Sequence, residues 1–88
     1  MNVLDQLNSV TSADSQQVAF ALLDAMQGIQ PKGLQLSGVA LMFLLVCEKS
    51  GLDPREVLNK ASRILYDAFT EGRGEYARAI RNYLKEEL

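Results

Sequence analysis

The chain has 88 residues, 48% of them hydrophobic and 23% charged, with a formal net charge of -2, one cysteine and no histidine. That size supports one domain, residues 1–88, and the composition is that of an ordered globular chain rather than a disordered one. The acidic balance gives no global basic footprint for nucleic acid, the lone cysteine excludes an intramolecular disulfide, and without histidine the usual general base and the nitrogen ligand of ordinary zinc sites are missing.

Val3, Leu4, Leu7 and Val10 recur at three- and four-residue spacing, which predicts a short amphipathic helix that persists only by packing on something larger. Thr11 or Ser12 then caps a second helix over about residues 13–27, with Asp14 in its first turn. Its apolar stripe is Val18, Phe20, Leu22, Leu23 and Met26 with the intervening alanines, and Gln16, Gln17, Asp24 and Gln27 fall off that stripe. Gly28 and Gln30–Pro31 end it, because the residue before a proline leaves the helical region and proline has no donor.

Val39 to Cys47 reads VALMFLLVC, an unbroken apolar run. A helix that is apolar all round is a buried one, enclosed by other helices or by a partner, so this stretch is expected to be the hub of the fold. Its helix starts between Leu34 and Ser37 and stops near Ser50, with Gly51 beyond. Gln35, Ser37 and Gly38 interrupt the start and Glu48 and Lys49 close the run, leaving about 14 residues, roughly 21 Å, against a hydrocarbon core of ~30 Å. No membrane span is expected.

Asp53-Pro54-Arg55-Glu56 then reads as a helix start, with Asp53 as N-cap, Pro54 in the first helical position and Glu56 reaching back as in a capping box. The fourth helix carries Val57, Leu58, Ala61, Ile64, Leu65, Ala68 and Phe69 on one side. Its other side pairs Glu56 with Lys60 and Arg63 with Asp67 at four-residue spacing. Gly72 and Gly74 break the pattern, and a last helix from about Glu75 to Glu87 buries Ala77, Ile80 and Leu84, flanked by Tyr76 and Tyr83. With no alternating strand pattern and no repeat, the fold class is all-α, a compact bundle of four to five short helices around a central apolar helix.

The motifs of common enzyme classes are missing: there is no Walker loop, no GxSxG elbow and no EF-hand loop. The acidic residues fall on faces expected to be solvated, so no catalytic function and no cofactor is expected. Cys47, inside the apolar run, reads as a small core hydrophobe, and Gly72-Arg73-Gly74 as an inter-helix turn rather than an anion-binding loop. The N-terminal MNVLDQLNSV lacks the features of a signal peptide, which makes the expected location cytoplasmic.

One segment, residues 43–64, carries a motif. Cys47 lies four before Gly51, Leu52 follows the glycine, Asp53-Pro54 opens a helix, and Val57 lies six after the glycine. The small residue and the valine let two helices cross closely while the glycine takes the turn. This pattern resembles a DNA-binding helix-turn-helix, which implies a second helix in the major groove with Arg55, Glu56, Asn59, Lys60 and Arg63 meeting bases and phosphates. The segment departs from that motif in having Lys60 at a commonly apolar position, a second helix running on to Phe69, and a first helix too apolar to leave a face free. A packed corner between two helices accounts for the same residues.

All nine basic residues lie in residues 32–88. Arg73, Arg78, Arg81 and Lys85 make a secondary basic stripe along the last helix near Tyr76 and Tyr83, but Glu71, Glu75, Glu86 and Glu87 lie among them, and a solvated face is expected. The chain is therefore expected to be a non-enzymatic helical protein acting through protein–protein association, an accessory or phage-encoded modulator with an unidentified protein partner. Self-association as a homodimer is expected because three or four short helices are too few to cover an apolar helix on every side. The alternative is a helix-turn-helix transcriptional regulator that uses residues 43–64 and has nucleic acid as its partner.

Overall fold

A computed structural model describes residues 2–87 as five helices: α1 (Val3–Ser9), α2 (Ser12–Met26), α3 (Lys32–Ser50), α4 (Pro54–Thr70) and α5 (Glu75–Glu87). No strand occurs among the described residues, and the fold is an all-α bundle. The side chain of Glu87, placed by the sequence among the basic residues of the last helix, lies outside the described residues.

The helix boundaries follow from capping chemistry. Asn2 accepts from the Asp5 N–H at 2.9 Å to start α1, and Thr11 Oγ1 accepts from the Asp14 N–H at 3.1 Å to start α2. Asp53 accepts from the Arg55 N–H at 2.9 Å with Pro54 opening α4, while no return bond from the Glu56 carboxylate completes a capping box among the described residues. Gly51 takes the left-handed conformation, φ 71°, that ends α3, and the Leu52 N–H turns back to the Cys47 carbonyl at 3.0 Å. Gly72 repeats the device after α4, with the Arg73 N–H reaching the Ala68 carbonyl at 2.7 Å.

Packing centres on α2, which lies against both α4 and α5, while α3 packs on α4. The best-buried apolar side chains are accordingly Leu23 in α2, Ala68 at the end of α4, Ala77 at the start of α5 and Cys47 in α3. Phe20 of α2 meets the Tyr76 ring edge-on at 5.7 Å between centroids. On α4, Val57, Ile64 and Phe69 are half-buried, whereas Leu58, Ala61 and Leu65, expected on the same inner side, stay exposed.

The apolar helix forms where the run predicts it, but it is longer and barer than expected. Its 19 residues span about 28 Å, and it is long and apolar enough to cross a membrane by length and composition, so the length estimate of 14 residues is corrected. Cys47 is its only buried residue among those described. The chain's own helices leave the rest uncovered, because α2 is held by α4 and α5, and α3 meets the bundle through its C-terminal half. The molecule measures 38 × 31 × 18 Å, about two helices thick. Its accessible surface is 6748 Å², where a compact folded chain of this mass exposes about 5,100 Å².

Candidate interaction surface

The two sides of α3 differ sharply. Phe43, Cys47 and Ser50, four and three apart, are the buried or half-buried positions of its C-terminal half. About half a turn round the helix, Leu34, Gly38, Leu41 and Leu45 form a row with 4-3-4 spacing. Leu34 is 54% exposed, Leu41 60% and Leu45 51%. Gly38 sits in mid-helix with nothing within 4 Å of where a Cβ would lie, so no neighbour in the chain requires a glycine there. A row at 4-3-4 spacing averages about 3.67 residues per repeat, close to the 3.6 of a straight helix, so it keeps to one face over the three turns that a partner helix would meet. Beside the seam runs an apolar groove of about 530 Å³ between α2 and α3, walled by Leu22, Met26, Ile29, Val39, Met42 and Val46.

The residues assigned by the helix-turn-helix resemblance lie together on α4, with Arg55, Glu56, Asn59 and Arg63 exposed and Lys60 half-buried. Glu56, Asn59, Lys60 and Arg63 line a cleft of about 250 Å³ whose other wall is Leu4, Leu7 and Asn8 of α1. Arg55 lies outside that cleft, exposed beside the Asp53 cap. The short first helix thus borders one side of the α4 face that a DNA groove would have to meet.

The secondary stripe is divided. Arg81 stacks over the Phe69 ring at 4.3 Å and Arg78 approaches the same ring at 5.7 Å. Arg73 points away, its guanidinium 3.7 Å from the Glu71 carboxylate with both side chains largely exposed, an arrangement that contributes little to stability. Lys85 lies exposed in the last turn of α5, where the helix dipole favours a cation. Phe69 rather than Tyr76 or Tyr83 gathers the arginines. Among the described residues no group of three or more His, Cys, Asp or Glu is placed to hold a metal ion.

One residue that sequence reasoning set aside is structurally central. Gln16 was expected off the apolar stripe, yet it is buried. Its Oε1 accepts from the Ala77 N–H at 3.0 Å, and its Nε2 donates to the Arg73 carbonyl at 2.9 Å and to Ser12 Oγ at 3.0 Å. Helix α5 begins after Gly74, which has no side chain to cap it, so Gln16 supplies the cap from another helix. One of the donors that an anion would have met beyond the Gly72-Arg73-Gly74 turn, the Ala77 N–H, is in this way taken by protein. Set against known proteins, the chain matches no family model, no curated protein and no solved structure.

Proposed function

We propose that the protein is a non-enzymatic helical association module whose working surface is the outer face of α3, that it self-associates as a homodimer, and that it acts in the cytoplasm as an accessory to another protein. The observation that carries this reading is the exposure of Leu34, Leu36, Leu41, Met42, Leu44, Leu45 and Val46 on one helix of a globular chain. Contiguous apolar surface on that scale marks an association site, since solvated monomers seldom keep it.

Two features favour a protein partner over a bilayer. The helix is bordered by α2 and α5 as well as packed on α4, with Met26 and Leu84 sharing a cleft with Leu36 and Val39. Immersing α3 end to end would draw charged neighbours on those helices toward hydrocarbon, at a cost of several kcal/mol for each. Against the transcriptional alternative stands α1, which walls the cleft holding Glu56, Asn59, Lys60 and Arg63.

The test is a paired change on the seam, Leu41→Asp with Leu45→Asp. Both positions are about half exposed, so helix content by circular dichroism should persist while the particle size by size-exclusion chromatography falls to that of one chain. An unchanged size would place the association surface elsewhere.

A further inference from the structure

Resting on that reading of α3, we infer that its partner surface is the same seam of a second copy, packed antiparallel, with Leu41 of each chain seated over Gly38 of the other. The area argues for a second copy. The chain exposes about 1,600 Å² more than a compact chain of its mass, twice the ~800 Å² that each partner contributes to a standard stable interface. A smaller ligand would leave most of that excess in water.

The seam sets the register. With the overlap centred between Val39 and Ala40, Leu34 lies over the partner's Leu45, Gly38 over the partner's Leu41, and the same two contacts recur by symmetry. Every position of the row then meets an apolar or empty counterpart. The open space above Gly38 becomes the hole that a leucine fills, which gives a mid-helix glycine a purpose that the single chain lacks. Glycine in that position otherwise only weakens the helix.

Orientation follows from the same residues. A parallel pair would set Gly38 against Gly38, leaving a void, and Glu48 against Glu48, placing like charges together at the end of the seam. The antiparallel pair carries Glu48 and Lys49 past the partner's Lys32, where its α3 begins, and opposes the two helix dipoles. The groove beside the seam, walled on its far side by Leu22 and Ile29 of α2, borders the second helix and widens the contact beyond a two-helix strip.

Disulfide trapping decides the arrangement. Leu34→Cys and Leu45→Cys are made as separate variants in the full chain, which keeps its own buried Cys47, and are oxidised singly and after mixing. Covalent dimer should form mainly in the mixture, with the 34–45 bond identified by peptide mapping. Gly38→Leu should weaken dimerisation about tenfold or more by sedimentation while leaving α3 helical. A strong 34–34 disulfide from the Leu34→Cys variant alone would overturn the antiparallel register yet leave α3 as the association surface. A chain that stays monomeric by light scattering, or that floats with phosphatidylcholine vesicles instead of dimerising, would overturn both.

Discussion

Gln16 and Ala77 are joined by a 3.0 Å hydrogen bond across 61 positions of sequence, from the Ala77 N–H to the Gln16 Oε1. The other end of the same amide holds the Arg73 carbonyl, so one buried side chain ties α2 to the α4–α5 turn and to the first turn of α5. Gln16→Ala removes these two bonds and the one to Ser12 Oγ and strands two backbone groups, which should cost about 1–3 kcal/mol in urea unfolding. A loss within experimental error would mean that water replaces the amide without penalty.

Gly74 belongs to the same corner. A Cβ there would lie 3.0 and 3.1 Å from two carbons of the Phe69 ring, so in Gly74→Ala the ring, which Arg81 covers, must give way by a few tenths of an ångström. Overpacking of this kind costs about 1–3 kcal/mol, and thermal melts of the variant should show it. The Arg81 guanidinium resonances, shifted by the ring in the parent, should move toward their free positions.

Leu23 and Leu45 separate the core of the chain from the surface of α3. Leu23 is 6% exposed, and Leu23→Ala should destabilise by about 2–5 kcal/mol at any protein concentration. Leu45 is half exposed in the single chain, so Leu45→Ala should matter only where a partner covers it. Its effect on the unfolding midpoint should grow as the parent is concentrated, because binding to the folded state alone stabilises by mass action. Equal losses at all concentrations for both variants would place Leu45 in an intrachain core.

These contrasts mark how far the sequence could be read. Caps and stops were legible because they depend on neighbours in the chain: Asp53-Pro54, Gly51, Thr11 and Gly28 each act within one turn. The helix of Val39 to Cys47 was legible for the same reason. What covers it was not, since hydrophobicity reports that a surface must be buried and says nothing about which molecule buries it. Gln16 was missed because its value lies in matching a distant gap, the uncapped start of α5 at Gly74. The one available signal was that a glycine opens that helix where Ser, Thr, Asp or Asn would serve, so its first donors need a partner from elsewhere.

Arg55, Asn59 and Arg63 test the transcriptional alternative. All three are exposed, so changing them together to alanine should leave folding and self-association intact. The parent should show no sequence-preferring DNA binding near physiological salt. A complex that weakens steeply with salt and disappears in the triple variant would establish phosphate and base contacts by α4 instead.

The most direct measurement is sedimentation velocity of the unmodified chain from low to high micromolar concentration. If the outer face of α3 is completed by a second copy, the sedimentation coefficient should rise to that of a dimer, and Leu41→Asp with Leu45→Asp should hold it at the monomer value. A parent that remains a single 88-residue particle throughout would contradict the account, because the uncovered surface of α3 would then be the working surface of nothing that this chain forms with itself.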